Sequence, residues 1–344
     1  MKKRRVLVLV HEDLVPPESL DGYDEKQIKE WKTEYDVCWT LRNMGHEVRP
    51  LGVSSDLAVI RTALEEFKPH VCFNLLEEFH GVALYDQHVV SYLELLRQPY
   101  TGCNPRGLTL AHDKALSKKV LAYHRIPSPK FKVFPVGRKI RMSKRLTYPL
   151  IVKSLTEDAS LGISQASLVQ SDEKLEERVR FIHEKIGTDA IVDQYIDGRE
   201  LYVGVMGNER LQTLPIWELE FGNLPDGAAR IATEKVKWDE KYQEQVGVRT
   251  GPASNLDDAV RERILRLCKR AYRALELTGY ARMDLRLTEE GRISLIEANP
   301  NPQLAFDEDF AESANHAGMD FPKLLHKIIT LGIGYRAHWQ QVNA

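Results

Sequence analysis

The chain has 344 residues, of which 43% are hydrophobic and 28% are charged, and its formal net charge at pH 7 is -2. These values are typical of a soluble globular protein of two or three domains, and a net charge so close to zero is not typical of a nucleic-acid-binding protein. An early apolar run, Val6–Val10, is followed by His11, Glu12 and Asp13, so it is too short for a signal peptide or a membrane span.

The cysteines Cys38, Cys72, Cys103 and Cys268 are widely separated along the chain. No two of them form a CxxC pair, so the sequence favours neither a zinc site nor a thiol redox centre. Scattered free cysteines fit a reducing compartment, and we expect a cytoplasmic protein.

The first third of the chain alternates predicted strands with predicted helices, which is typical of an open α/β sheet. In chain order these elements are strand Val6–Val10, helix Glu25–Met44, strand Glu47–Val53, helix Leu57–Phe67 and strand Val71–Leu76. Such sheets bind ligands at the carboxyl ends of their strands, where His11, Glu12, Glu77 and Glu78 would lie. The sequence leaves open whether these four residues bind a ligand or are ordinary solvated loop residues.

A second unit begins near Asp113. In chain order it contains helix Lys114–His124, a proline-rich and basic stretch, strand Tyr148–Ser154, helix Asp172–Ile186 and strands Ala190–Ile196 and Glu200–Met206. Polar residues and Gly162 predict a mobile loop at Leu155–Ser164, directly after Lys153. A lysine there can pair with a nucleotide phosphate, and the loop can cover phosphates with backbone N–H groups. An ordinary strand and turn explains each of these pieces equally well.

A hairpin in the last third collects polar side chains on one face. Strand Tyr280–Leu287 and return strand Arg292–Ala298 flank a four-residue turn. Residues two apart on a strand share a face, which places Arg282 with Asp284 and Glu297 with Asn299. A symmetric turn would place Arg282 opposite Glu297.

The same hairpin predicts a metal site. Carboxylate and amide oxygens suit Mg²⁺, which takes few protein carboxylates and completes its shell with phosphate oxygens. A surface ion pair between Arg282 and Glu297 is the alternative. The stiff exit Asn299–Pro302 favours the metal site because it is unusual for an ordinary edge strand. The opposite face is expected to be core and carries Met283, Leu285, Leu287 and Ile296.

Taken together, the segments resemble the ATP-grasp superfamily, specifically its D-alanine–D-alanine ligase branch, from about Val71 to Gly332. The resemblance rests on the order and spacing of PYTGC (Pro99–Cys103), HDKALSKKVL (His112–Leu121), YPLIVK (Tyr148–Lys153), EDASLGIS (Glu157–Ser164), DQYIDGRELYVGV (Asp193–Val205), ARMDLRL (Ala281–Leu287) and IEANPNP (Ile296–Pro302).

The resemblance implies an α/β ATP-grasp fold, with a Rossmann-like N-terminal domain (residues 1–112) and two α+β domains gripping ATP (residues 113–192 and 193–344). It also implies ATP and Mg²⁺ as cofactors, with two metal ions and Mn²⁺ as a substitute. The expected partners are a small-molecule carboxylate and amine, with no nucleic acid and no membrane, and the expected assembly is a homodimer.

The resemblance further implies roles for individual residues. ATP would be bound by Lys114, Lys153, Ser160, Asp193, Gln194, Tyr195, Ile196, Glu200 and Lys237, with the hinge Asp193–Ile196 holding adenine and Glu200 the ribose. Mg²⁺ would be bound by Asp284, Glu297 and Asn299. Catalysis would involve Lys237 and Arg282, the latter steadying the tetrahedral intermediate. Substrate would contact Trp238, Gln303 and Glu308.

The sequence also departs from the ligase pattern. The covering loop has Ala159-Ser160 where the ligases have two serines, and Pro300–Gln303 replaces a glycine-rich exit. Glu308 aligns with a serine that helps bind the acceptor carboxylate, and Trp238 aligns with a tyrosine. The acidic glycine motif expected near residues 77–86 is absent. The nucleotide half is therefore retained, whereas the substrate half differs.

These observations predict an ATP-dependent carboxylate–amine ligase that acts through an acyl phosphate. D-alanine–D-alanine ligase itself is one alternative, and a catalytically silent nucleotide-binding protein is another. Retention of the metal and phosphate residues argues against the silent protein; these are Lys114, Lys153, Asp284, Glu297 and Asn299.

Overall fold

The computed structural model describes residues 2–157, 160–225 and 227–337. The first part of the chain contains β1 (Arg5–His11), α1 (Glu25–Glu30), α2 (Lys32–Asn43), β2 (Glu47–Val53), α3 (Ala58–Phe67), β3 (Val71–Asn74), α4 (Asp86–Leu95) and α5 (Pro105–His112). Its three strands form a parallel sheet of order β2-β1-β3. The predicted open α/β sheet is confirmed. The sequence of β1 is one apolar run because both faces of that strand are covered.

The predicted helix Glu25–Met44 is two helices, α1 and α2. The break lies at Trp31, whose φ of -123° and ψ of 27° are not helical. A capping box starts α1, because the side chains of Asp24 and Gln27 each accept from the other residue's backbone N–H. Gly45, with φ of +83°, follows α2 as predicted for a helix end.

The central part contains α6 (Lys114–Tyr123), β4 (Phe131–Phe134), β5 (Leu150–Ser154), β6 (Leu168–Val169), α7 (Asp172–Phe181) and β7 (Ala190–Gln194). Its sheet has the order β4-β7-β5-β6 and is antiparallel throughout. Leu175 and Val179 of α7 pack against Leu150, Val152 and Val192 of this sheet.

The last part contains β8 (Arg199–Met206), β9 (Gln212–Phe221), α8 (Glu234–Trp238), α9 (Glu240–Val246), β10 (Val248–Pro252), α10 (Asp258–Ala274), β11 (Tyr280–Leu287), β12 (Ile293–Pro300), α11 (Asp309–His316) and α12 (Phe321–Gly334). Its antiparallel sheet has the order β10-β9-β8-β11-β12. The sheets thus use residues 5–74, 131–194 and 199–300, while the domain limits 1–112, 113–192 and 193–344 stay a prediction.

The first and last parts share apolar cores. One core joins Leu7 and Leu9 of β1 with Met283 and Leu285 of β11. No helix in the described part of the chain is long and apolar enough to cross a membrane.

Close backbone contacts also hold the first and last parts together. Asn301, just beyond β12, accepts through Oδ1 from the Cys103 N–H at 2.8 Å. Gly279 approaches Gly102 so closely that a Cβ at position 279 would lie 2.3 Å from the Gly102 carbonyl oxygen. The PYTGC and IEANPNP segments therefore form one junction between the parts.

Gly279→Ala tests this junction. Gly279 has φ of +68°, a conformation that strains any residue with a Cβ. The added Cβ would also clash with the Gly102 carbonyl oxygen. We expect the free energy of unfolding to fall by about 3 kcal/mol, measured by urea denaturation. Gly291→Ala is the matched control, because Gly291 has φ of +75° with no atom within 4 Å of an added Cβ. It should cost only about 1 kcal/mol, and equal costs for the two variants would contradict the close approach.

Candidate active site

A cleft opens between the central sheet and the C-terminal sheet. It encloses about 870 Å³, including space open to solvent, which lies in the range of ligand and cofactor sites. Ile151 on one side and Leu285 and Ile296 on the other give it apolar walls. Residues predicted from the sequence also line it, namely Lys114, Lys153, Ser160, Asp193, Gln194, Tyr195, Ile196, Glu200, Lys237, Asp284 and Glu297.

The pairing of β11 with β12 differs from the expected register. Asp284 lies opposite Glu297, and Arg282 lies opposite Asn299. The prediction that Arg282 faces Glu297 is wrong for two reasons. The connection has five residues, since Leu287 pairs with Ile293, and a β-bulge follows Asp284. The bulge explains why Ile296, expected in the core, lines the cleft instead.

Asp284 is held by two neighbours on the hairpin. Arg282 donates from Nε and Nη2 to its two carboxylate oxygens at 2.8 and 3.0 Å, and Asn299 donates from Nδ2 to Oδ2 at 2.9 Å. The guanidinium of Arg282 lies 4.7 Å from the centre of the Tyr202 ring. A bidentate charge-assisted pair of this kind fixes both side chains and compensates the buried carboxylate.

The two facing carboxylates have different electrostatic surroundings. Burial and, to a lesser extent, the neighbouring Glu297 raise the pKa of Asp284 above its ordinary value, although Arg282 acts to lower it. Burial also acts to raise the pKa of Glu297, but nearby cations outweigh it and lower that pKa to about 2. Those cations are Lys114, Lys153, Lys237 and Arg282. Glu297 is therefore ionised at neutral pH.

The donor set fits Mg²⁺ bound together with a phosphate ligand. Asp284, Glu297 and Asn299 offer hard oxygen atoms, which Mg²⁺ prefers. The described residues contain no group of three or more His, Cys, Asp or Glu side chains that could hold a metal alone. Two carboxylates and an amide leave positions for phosphate oxygens and water, as Mg²⁺ requires.

Lys118 is a buried cation that the sequence analysis missed. Its Nζ lies 3.3 Å from Asp193 Oδ2, and Lys153 Nζ lies 3.8 Å from the same oxygen. Burial lowers the pKa of Lys118, and Asp193 opposes that effect. The signal in the sequence was the spacing of four residues from Lys114, which places both lysines on one side of α6. Asp193, expected at the adenine, uses its side chain to pair with Lys118 and Lys153.

The amino-terminal end of α6 positions Lys114. Asp113 caps the helix by accepting from the N–H groups of Ala115 and Leu116, both at 2.9 Å. Lys114 is buried and donates from Nζ to the Glu157 carbonyl oxygen at 2.7 Å. The cap therefore fixes this cation at the start of the covering loop.

The hinge segment leaves the central sheet earlier than expected. β7 ends at Gln194, so Tyr195 and Ile196 lie beyond the strand rather than within it. The side chain of Gln194 donates to the backbone oxygens of Thr147 and Pro149 at 2.8 and 3.2 Å. These bonds hold the hinge against the segment that precedes β5.

Glu200 belongs to a polar cluster on the C-terminal sheet. It accepts from the Tyr202 hydroxyl at 2.9 Å and forms an ion pair with Arg286. Arg286 is buried and also donates to the Gly198 carbonyl oxygen at 2.9 Å. The sequence analysis did not select Arg286, although its position two residues after Asp284 places it on the same strand face.

The covering loop lies against the segment that leads into α8. Within the predicted loop, Asp158 and Ala159 lie outside the described residues. Ser160 donates from Oγ to the Ala232 carbonyl oxygen at 2.9 Å, and the Gly162 N–H donates to Glu234 Oε2 at 3.1 Å. These bonds bring the loop to the segment that carries Lys237.

The predicted substrate residues do not line this cleft. Trp238 is 54% exposed on α8, and Gln303 donates to Thr33 Oγ1 at 3.3 Å. Glu308 is half-buried at the start of α11 and makes no capping hydrogen bond. Burial raises its pKa, as does Asp309, whereas Lys32, Arg282 and Lys29 lower it. The surroundings of Glu308 are therefore formed by α1, α2 and the start of α11.

Polar residues meet at the carboxyl edge of the N-terminal sheet. His11 Nε2 lies 3.5 Å from Glu78 Oε1. Glu34, which the sequence analysis missed, is buried near Glu77; burial and, to a lesser extent, Glu77 raise its pKa to about 7. Helical spacing places Glu34 in the buried stripe of α2, which was the available signal.

Comparison with known proteins agrees with this architecture. Residues 119–330 match the family model described as the D-ala D-ala ligase C-terminus. An uncharacterized protein, y4sG, from Sinorhizobium fredii is 31% identical over 301 residues, or 85% of each chain. A D-alanine–D-alanine ligase from Desulforudis audaxviator is 32% identical over 300 residues, covering 86% of this chain and 90% of that protein.

Solved structures share the fold. The D-alanine–D-alanine ligase from Bacillus anthracis, complexed with ATP, superposes with a TM-score of 0.75 at 20% identity, covering 99% of this chain and 100% of that one. The VanG D-Ala:D-Ser ligase from Enterococcus faecalis gives a TM-score of 0.69 at 20% identity, covering 96% and 100%. The chain therefore belongs to the D-alanine–D-alanine ligase family and is an ATP-dependent, ADP-forming carbon–nitrogen ligase with the ATP-grasp fold.

Proposed function

We propose that this ligase activates an amino acid or similar carboxylate as an acyl phosphate and transfers it to an amine acceptor that is not held by a carboxylate. The observation that carries the nucleotide half of the proposal is the ionised Glu297 opposite Asp284, surrounded by cations from four elements. Such a site neutralises the charge that develops during phosphoryl transfer.

The nucleotide would lie along the cleft with its phosphates at the hairpin. Lys114, Lys153 and Lys237 would contact phosphate oxygens, with Ser160 in the covering loop above them. The backbone of the hinge, residues 193–196, would bind the adenine edge between the apolar walls. Glu200, fixed by Arg286, would accept from the ribose hydroxyls. The lining of the cleft by all these residues supports this placement.

Asp284, Glu297 and Asn299 would hold Mg²⁺, which supplies positive charge beside the transferred phosphoryl group. We propose two ions, with Mn²⁺ able to replace them. The pairing of Arg282 with Asp284 would keep that carboxylate oriented, and the same guanidinium would face the tetrahedral intermediate. This arrangement places charge stabilisation on one rigid hairpin.

The chemistry would proceed in two displacements. A carboxylate oxygen attacks the γ-phosphorus of ATP, the bond to ADP breaks, and an acyl phosphate forms. The acceptor amine then attacks the acyl carbon, loses a proton, and expels inorganic phosphate together with the former carboxylate oxygen. Closure of the covering loop against the 229–234 segment would keep water from the acyl phosphate.

The region around Glu308 supports an acceptor without a carboxylate. A carboxylate about 5 Å from another anion, at an effective dielectric near 20, is repelled by roughly 3 kcal/mol. Arg282 would return an attraction of similar size, so a bound carboxylate would gain little. An amine-rich, neutral or larger acceptor would be favoured, with Trp238 as an apolar or cation–π wall.

An outward-facing, ion-paired Glu308 is the competing explanation, and the contacts favour it less. Lys32 already donates to Asp36 at 3.1 Å and to the Phe306 carbonyl oxygen at 2.6 Å. Lys29 pairs with Glu240. The nearby lysines are thus engaged elsewhere, and Glu308 forms no ion pair with a residue of the described ranges.

Removing either carboxylate of the hairpin should abolish ADP formation. We expect Glu297→Gln and Asp284→Asn each to lower the rate at least 100-fold while the fold is retained, because losing one anionic ligand removes about 3 kcal/mol or more of transition-state stabilisation. ADP release and circular dichroism measure the two effects. Glu290→Gln, an exposed carboxylate at the turn of the same hairpin, is the control and should keep full activity. Wild-type turnover by both cleft variants would contradict the assignment.

D-alanine tests the acceptor proposal. It is the first amino acid to try, because similar proteins are named D-alanine–D-alanine ligases. We expect the unmodified protein to form little D-alanyl-D-alanine from D-alanine and ATP, as measured by chromatography of the products. Glu308→Ser and the size-matched Glu308→Gln should both increase it at least tenfold, because each removes the repulsion. Glu312→Gln, one helical turn further along α11, is the control and should leave the yield low. Efficient dipeptide synthesis by the unmodified protein would instead establish D-alanine–D-alanine ligase activity.

A further inference from the structure

One continuous stretch of the chain is strongly basic. Residues 114–156 contain twelve lysines and arginines and no aspartate or glutamate, although the net charge of the whole chain is -2. Two of the twelve, Lys114 and Lys153, line the proposed nucleotide cleft, and Lys118 pairs with Asp193 of that cleft. The other nine have no role in the proposed ligase reaction.

These nine cations lie outside the cleft and have no ion-pair partner among the described residues. They are Lys119, Arg125, Lys130, Lys132, Arg138, Lys139, Arg141, Lys144 and Arg145. All are exposed except the half-buried Lys132, and none forms an ion pair with a residue that the structure describes. Uncompensated like charges repel one another, so an anionic partner would lower the electrostatic energy of this surface.

The nine cations lie on consecutive parts of the chain, from the end of α6 through β4 to the loop before β5. Lys132 of the edge strand β4 donates to the Arg141 carbonyl oxygen, which joins the strand to the loop that follows it. Arg270 of α10 donates from Nη2 to the His124 carbonyl oxygen at 2.9 Å, which joins α10 to the end of α6. His124, Arg270 and Arg273 line a shallow pocket of about 460 Å³, including space open to solvent. We call these nine cations, together with Arg270 and Arg273, the basic surface.

The neighbouring acids do not neutralise this surface through ion pairs. Asp189 accepts through Oδ1 from the Val136 N–H at 2.8 Å, and Asp172 accepts from the Tyr148 hydroxyl at 2.5 Å. Lysines on an edge strand often serve only to prevent sheet-to-sheet aggregation. That explanation covers Lys130 and Lys132 but not the cations of the loop or of α10.

We propose that the basic surface binds single-stranded polynucleotide through its phosphate backbone. Lysine is depleted at protein–protein interfaces, yet five of the nine cations are lysines, so an acidic protein is the poorer match. Tyr123 is 84% exposed beside Arg125, with the His124 ring edge-on at 5.2 Å. An exposed aromatic ring within a basic surface is the combination on which unpaired bases stack. Local charge thus points to a partner that the net charge of the chain did not indicate.

The test measures fluorescence anisotropy of labelled 20-nucleotide single-stranded RNA and DNA between 50 and 200 mM salt. Saturating ATP and Mg²⁺ are present so that the nucleotide cleft is filled. Each phosphate neutralised on a single strand contributes about -0.7 to the slope of log Kobs against log salt. We expect a slope of about -3 or steeper, and the RNA and DNA arms identify which polynucleotide binds more tightly.

Matched charge variants locate the site. The triple variant Arg138→Gln, Lys139→Gln, Arg141→Gln should make the slope shallower by about 2. The control triple Lys26→Gln, Arg210→Gln, Arg249→Gln removes the same charge from exposed positions elsewhere and should leave the slope unchanged. Tyr123→Ala should weaken binding about fivefold or more with no change in slope, because stacking carries no counterion release.

Four results would overturn the proposal. They are no salt-dependent binding of either oligonucleotide at 50 mM salt, equal effects of the two triple variants, equally tight binding of polyglutamate, and tighter binding to vesicles of anionic phospholipid than to either oligonucleotide. The third would assign the surface to an acidic protein, and the fourth to a membrane. ADP formation by the Arg138/Lys139/Arg141 variant should equal that of the unmodified protein, which separates this surface from the ligase site.

Discussion

The active-site geometry depends on the antiparallel pairing that sets Asp284 directly opposite Glu297. Two carboxylates on facing strand positions repel each other, and burial adds a desolvation cost. The pair is compensated by cations from separate elements. Arg282 comes from the same hairpin, while the lysines come from α6, β5 and α8. The hairpin, the central sheet with α6 and the segment with α8 must therefore be assembled together for Glu297 to remain ionised and for both carboxylates to be correctly placed.

With the proposed nucleotide site, this dependence accounts for the match of the cleft residues to the ligase pattern, from which the residues predicted to contact substrate depart. Each cation of the cleft compensates a carboxylate in the folded protein and would contact a phosphate in the nucleotide complex. Its loss would therefore lower both the stability of the folded protein and the binding of nucleotide. The region around Glu308 lacks that constraint. Its carboxylate forms no ion pair with a described residue, and it can vary with the substrate without disturbing the hairpin.

Much of this could be predicted from local sequence pattern. Apolar runs gave the parallel strands of the N-terminal sheet, and period-two spacing placed Arg282 and Asp284 on one strand face. The register of β12 could not be predicted, because the turn sequence indicated neither the five-residue connection nor the β-bulge after Asp284. The break at Trp31 was missed because helical spacing continues through it. Lys118 was missed because its partner Asp193 lies far away in sequence and meets it only through the fold.

The central claim is that the carboxylate substrate is activated by direct transfer of the γ-phosphoryl group to one of its oxygens. The most direct test is mass spectrometry of the inorganic phosphate formed from a carboxylate labelled with ¹⁸O in both oxygens, using whichever amino acid supports ADP release. Amide formation through an acyl phosphate transfers one labelled oxygen to each phosphate released, which is the predicted result. Unlabelled phosphate, or label found in AMP, would contradict the mechanism.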